Sequence, residues 1–137
     1  MLLEVLVSIL IFAIGVLSIV GLQVNSIKQS TAAKYRTDAS LLVNEYVSRM
    51  WVTNRTFAAL NADFSTGGAE YNNWLPSVQA LLPGAAANPP TVAIASIPSG
   101  VAGGLPSSHV TVTLRWKAPN EPPGDPVHSL TVVTQIK

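Results

Sequence analysis

The run LLEVLVSILIFAIGVLSIVGL, residues 2–22, constrains this chain more than any other feature. Its single charge is Glu4. From Val5 to Leu22 no side chain ionises, and the small or polar breaks are Ser8, Gly15, Ser18 and Gly21. As a helix that stretch is roughly 27 Å long, close to the ~30 Å of a bilayer core. Leu2, Leu3 and the residues after Leu22 make up the difference. Glu4 admits two readings. A carboxylate in the first helical turn meets the positive end of the dipole, which favours it by ~0.3–1 kcal/mol. A lone acid in an apolar anchor also suits a cation on a partner, because intramembrane acids that persist are usually paired and functional.

A cleavable secretory signal would begin with basic residues, run a shorter apolar core and end at a small-residue cleavage site. Here the start carries Glu4 and no Lys or Arg, and residues 24–33 offer no such site. The segment therefore reads as a retained anchor. Lys28, Lys34 and Arg36 follow it. The positive-inside rule taken from that flank alone places them in the cytoplasm.

The helical pattern continues beyond the apolar run. From Val24 to Trp51 there is neither Pro nor Gly. Ile27, Thr31, Tyr35, Ala39, Leu42, Tyr46 and Met50 recur at steps of three and four, one face of a helix. One helix from about Leu2 to Val52 is expected, its second half laying that stripe on the rest of the chain. Four regions follow: 1–23, a transmembrane or core helix; 24–53, its amphipathic continuation; 54–90, a connecting loop with a short helix; and 91–137, an antiparallel sheet. In the connection, Asn72 to Gly84 reads as that helix, with Pro76 in its first turn, Pro83-Gly84 as its stop, and Trp74, Val78, Leu81 and Leu82 as its buried side. Asn54-Arg55-Thr56 fits a glycosylation sequon, a pattern common by chance.

The remainder is β. Val92–Ile97 is one strand. Ser108–Lys117 alternates, with Val110, Val112, Leu114 and Trp116 facing one way. After a turn of Pro, Gly and acidic residues, Leu130, Val132, Thr134 and Ile136 share a face of the last strand. A fourth strand is allowed near Tyr71. The fold class is α+β: a long N-terminal helix packed across a small antiparallel sheet.

Composition excludes more than it selects. Charged residues are 11% and the net charge is +1, which speaks against nucleic-acid binding driven by counterion release. With no cysteine there is no disulfide or zinc-thiolate site. His109 and His128 read as surface residues at strand starts, and no metal is expected. Asn120, Glu121 and Asp125 lack the glycine-and-oxygen spacing of a calcium loop, so a solvated turn is the better reading. Gly100, Gly103 and Gly104 lie in no strand–glycine–helix order. Trp51, Trp74 and Trp116 read as core residues. No catalytic set, cofactor or small-molecule substrate is expected, and the chain does not read as an enzyme.

Residues 2–23, LLEVLVSILIFAIGVLSIVGLQ, strongly resemble the N-terminus of mature type IV pilins and pseudopilins. That family's pattern is a processed, methylated aromatic, a small polar residue, two aliphatics, a glutamate and a long apolar helix. Leu2, Leu3 and Glu4 match the aliphatic pair and the glutamate. The continuation looks most like PilV-type minor pilins, with GspI-type pseudopilins close behind, and Trp74 with Leu81-Leu82-Pro83-Gly84 agrees more weakly. The motif covers about a sixth of the chain. The family's leader, its glycine before the cleavage point and its processed first residue do not appear, and Met1 falls at the second mature position. The expectation is a start later than the natural one.

The resemblance implies a pilin-like fold and a structural role. It places the anchor in the bacterial inner membrane, the C-terminal domain in the periplasm, and the assembled subunit in a pilus at the cell surface. That orientation opposes the naive reading of Lys28. Partners would be other minor pilins, the major pilin and inner-membrane lipid. Glu4 would pair with a neighbouring subunit's N-terminal ammonium. Leu2, Leu3, Val5, Leu6, Ile9, Phe12, Gly15 and Leu17 would pack in membrane and fibre. No proline breaks the apolar half and no C-terminal disulfide exists, which favours a minor over a principal subunit. The alternatives are a type II secretion pseudopilin and a membrane-tethered ligand-binding module.

Overall fold

The computed structural model describes residues 1–119 and 121–137. The elements in order are α1 (Leu2–Val52), α2 (Phe57–Phe64), α3 (Ala69–Leu81), β1 (Thr91–Ile97), β2 (Ser107–Trp116) and β3 (His128–Ile136). Two compact units divide the chain, residues 1–34 and residues 35–137. The first is helix alone. The second combines the rest of α1 with everything that follows.

The absence of Pro and Gly after Gly21 lets α1 run unbroken for 51 residues, as the periodicity predicts. Its buried stripe is shorter than expected. Ala39, Leu42, Val43, Tyr46 and Met50 are buried, and Tyr35 packs against the same cluster. Ile27, expected on that stripe, is exposed. Residues 1–34 hold only helix, so at Ile27 the unit contains no second layer to cover it.

The connection is more helical than the sequence suggested. Thr56 caps α2, its Oγ1 accepting from the Ala59 amide. Asn54 Oδ1 accepts from the Thr56 amide, so the sequon residues organise a helix start. Gly67, in the left-handed region at φ 92°, turns the chain into α3. That helix begins at Ala69, earlier than Asn72, and Pro76 lies inside it instead of in its first turn. Pro76 cannot donate to the carbonyl four residues back. Burial outweighs the loss, because the earlier start brings Tyr71 into the core beside Trp74 and Val78. Tyr71 is therefore helical and forms no fourth strand. Leu82 is buried as expected, but Leu81 turns outward and is exposed.

An aromatic stack locks the helices together. Tyr46 lies on Trp74 with ring centroids 4.2 Å apart, and meets Phe64 edge-on at 5.6 Å. Its hydroxyl donates to the Phe64 carbonyl at 2.7 Å, satisfying a carbonyl at the end of α2. Arg49 pairs with Glu45 one turn away at 2.6 Å and approaches Glu70 of α3 at 3.9 Å. These ions are half exposed, so each contact is worth ~1 kcal/mol at most.

The sheet has the order β1-β2-β3, antiparallel throughout. Every second residue of β2 from Ser108 to Trp116 is buried, and Val110, Val112, Leu114 and Trp116 join Ile136 and the α1 stripe in one core. Leu130 and Val132 pack on its rim. The opposite face carries three cross-strand rows: Thr91, Thr113 and Thr131; Ala93, Thr111 and Val133; Ala95, His109 and Gln135. Within the first row the Thr113 and Thr131 hydroxyls hydrogen-bond at 3.0 Å. Thus a long apolar N-terminal helix is joined to a small three-stranded antiparallel sheet, an α+β arrangement.

Candidate functional site: the first half of the long helix

The helix begins at Leu2, and its first internal hydrogen bond runs from the Val5 amide to the Met1 carbonyl at 3.3 Å. Glu4 therefore sits in the first turn, among amides without intrahelical partners. Leu2, Leu3, Val5, Leu6, Ile9, Phe12 and Leu17 are all exposed. The helix is long and apolar enough to cross a membrane, and its most apolar stretch buries nothing against other residues.

Its polar breaks are compatible with lipid. Ser8 Oγ donates to the Glu4 carbonyl at 2.8 Å, and Ser18 Oγ to the Ile14 carbonyl at 2.9 Å. Polar groups without internal partners are expensive in hydrocarbon, and both hydroxyls have theirs. At ~100° per residue, Glu4, Ser8, Ile11, Gly15 and Ser18 run along one side. Leu2, Val5, Leu6, Ile9, Phe12 and Leu17 crowd the other. A Cβ at Gly15 would meet nothing within 4 Å. Small residues on a transmembrane helix let a neighbouring helix approach closely. The expected packing residues thus fall into a bulky side and, with Gly15, a notched side that carries Glu4, and Leu3 lies between the two.

The other candidates lie elsewhere. Trp74 and Trp116 are in the core, but Trp51 is 44% exposed, because it neighbours Met50 on α1 and points away from the stripe. Trp74 Nε1 is buried with no hydrogen-bond partner among the described residues, an unsatisfied donor within the aromatic stack. His109 stands on the outer sheet face, half-buried in its row. His128 does more than the sequence suggested. Its ring stacks on Trp116 with centroids 5.9 Å apart, and Nε2 meets Glu121 Oε1 at 2.6 Å. That hydrogen bond, aided by the Ala118 amide on the same carboxyl, lowers the Glu121 pKa below its ordinary value. The register pair Trp116 and His128 is visible in the sequence only once the two strands are aligned.

In the turn between β2 and β3, Asn120 lies outside the described residues. The Pro123 and Asp125 carbonyls receive the Lys117 ammonium, at 2.9 and 3.1 Å. A protein cation occupies those oxygens. Among the described residues, no three His, Asp or Glu side chains gather as metal ligands would.

The fold and this site define a class: a mixed helix-and-sheet domain carried on a helix able to anchor in a membrane. Compared with family models, curated proteins and solved structures, the chain matches none.

Proposed function

We propose that this chain is a structural minor pilin of the type IV family, acting in pilus assembly through α1. The observation that carries the reading is the placement of Glu4. It is the only charge on an exposed apolar helix half, in the first turn, on the notched side of that helix. An acid so placed suits a subunit that leaves lipid for a bundle of like helices. Greasy surface stays covered in both settings, and the carboxylate sets axial register by pairing with a neighbour's ammonium. The continuation of α1 into a sheet-backed domain supports the pilin-like assignment.

In this reading the anchor holds the subunit in the inner membrane with its head in the periplasm. The subunit then joins other minor pilins and the major pilin in a complex that primes the fibre. The role needs no catalytic residue and no cofactor. Glu4→Ala and Glu4→Val should partition into membranes like the parent protein but lose co-purification with the other minor pilins and incorporation into fibres. Unchanged piliation together with unchanged co-purification would refute the role of Glu4.

A further inference from the structure

The two edges of the sheet are treated differently. The β1 edge is closed at Val92. Its amide donates to Thr66 Oγ1 at 2.8 Å, and its carbonyl accepts from the Thr66 amide and hydroxyl, both at 3.1 Å. On β3, by contrast, no hydrogen bond beyond the pairing with β2 ties the backbone to any described residue. The β3 segment HSLTVVTQI is nine residues long, with no Lys, Arg, Asp, Glu, Pro or Gly. Exposed edges normally carry such guards, because a row of unpaired amides and carbonyls recruits another strand. Val133 on the outer face is 55% exposed, and Leu130 and Val132 are only half covered on the inner face. A strand laid beside β3 would complete the cover of both faces.

We propose that the β3 edge receives an extended strand from a different subunit, uncharged along its length except for a carboxylate beside Ser129. The charge follows from Arg115. It sits on β2 in register with Ser129, and no described group pairs with its guanidinium. Strands lie ~4.8 Å apart, so a strand beyond β3 is roughly 10 Å from β2. Ser129 is too small to block the path. An arginine and a carboxylate reaching toward each other over it span that gap.

A second copy of this chain is the weaker occupant for a geometric reason. Antiparallel pairing of β3 with itself needs a two-fold axis normal to the sheet. That axis reverses every direction lying along the sheet, including that of the α1 portion packed on it. The paired helices would point opposite ways. Copies repeated in one orientation would instead offer the β1 edge, where Thr66 already occupies both backbone groups of Val92.

The test uses the full chain in nanodiscs and hydrogen–deuterium exchange of the β3 amides. The probes are nine-residue peptides of alternating Thr and Val, N-methylated along one edge so that they cannot stack, with a Glu or a Lys as the eighth residue, which antiparallel pairing along β3 sets beside Ser129. The Glu peptide should slow exchange in β3 at sub-millimolar concentration and bind about tenfold tighter than the Lys peptide. Arg115→Gln should erase that preference while leaving β3 protectable. Val133→Lys, an edge guard on an exposed position, should weaken both peptides at least tenfold without altering the fold by circular dichroism. The proposal is overturned by any of three results. The Glu and Lys peptides bind equally; protection appears on β1 instead; or β3 is already protected without peptide, through a concentration-dependent dimer or another segment of the natural chain.

Discussion

Replacing Tyr46 with Phe removes one oxygen and little else, which makes it a sharp test of how the head is held together. The hydroxyl donates to the Phe64 carbonyl inside the core, and Tyr46 itself is fully buried. A typical buried hydrogen bond contributes ~0.5–1.5 kcal/mol, and a buried group left without its partner loses ~1–3 kcal/mol. The ring would keep its stack on Trp74 and its edge contact with Phe64. Tyr46→Phe should therefore destabilise the head by about 1–2 kcal/mol. For a unit of this size one kcal/mol moves the midpoint by ~4 °C, so the melting temperature should drop by roughly 4–8 °C. Tyr46→Ala, which also empties the ring's volume, should cost ~3–5 kcal/mol. The assay is thermal unfolding of the full chain in detergent, followed by tryptophan fluorescence.

The same variant carries a pH signature. Burial is the main cause that raises the Tyr46 pKa well above its ordinary value of 10.0, with Glu70 adding to it. Because the folded-state pKa is the higher one, stability is fully present below the ordinary value. It falls as pH rises above that value, where the unfolded chain releases its proton first. Tyr46→Phe should flatten this alkaline loss, leaving the smaller part due to Tyr71, also raised by burial. A Tyr46→Phe protein as stable as the parent, with an unchanged alkaline profile, would refute a core held by this hydroxyl.

Pro76→Ala should stabilise the head by at least ~1 kcal/mol, because Pro76 is exposed within α3 and withholds a helix hydrogen bond; a lower urea midpoint would contradict this. Gly84→Ala should destabilise by ~1–2 kcal/mol. Gly84 holds φ at 76°, and a Cβ there would press on the Lys117 backbone nitrogen at 3.2 Å; equal melting temperatures would count against it. Glu121 has a lowered pKa, so its contribution is present above the ordinary value of 4.5 and is lost as pH falls through the folded-state value. In His128→Ala, carbon-detected NMR should show the Glu121 carboxyl titrating closer to the ordinary range, and an unmoved titration would exclude the hydrogen bond as the cause.

Much of the architecture was legible from periodicity. Alternation placed Val110, Val112, Leu114 and Trp116 on one face. Steps of three and four placed Ala39, Leu42, Tyr46 and Met50 on another. Both patterns work because each side of a regular element meets one environment. The connection was less legible. Turn-forming Asn, Asp and Gly concealed α2, and Pro76 suggested a later start for α3. Local preference at those positions is worth a kilocalorie or so, and burial of Leu60, Phe64 and Tyr71 outweighs it.

For the candidate site the division is clear. The sequence by itself determined that residues 2–22 form an apolar helix with one acid at its start, since no partner is needed to read length, hydropathy or the place of Glu4. It also determined that the chain's chemistry-bearing residues are few. Only the tertiary structure decided where the amphipathic stripe finds its cover, which tryptophans enter the core, and that Lys117 fills the carbonyls of the β2–β3 turn. It alone distinguished a β1 edge held at Val92 by Thr66 from a β3 edge whose backbone no hydrogen bond ties to any described residue outside the sheet. Those features join residues distant in the chain, and no local pattern encodes which distant backbone a hydroxyl or an ammonium will reach.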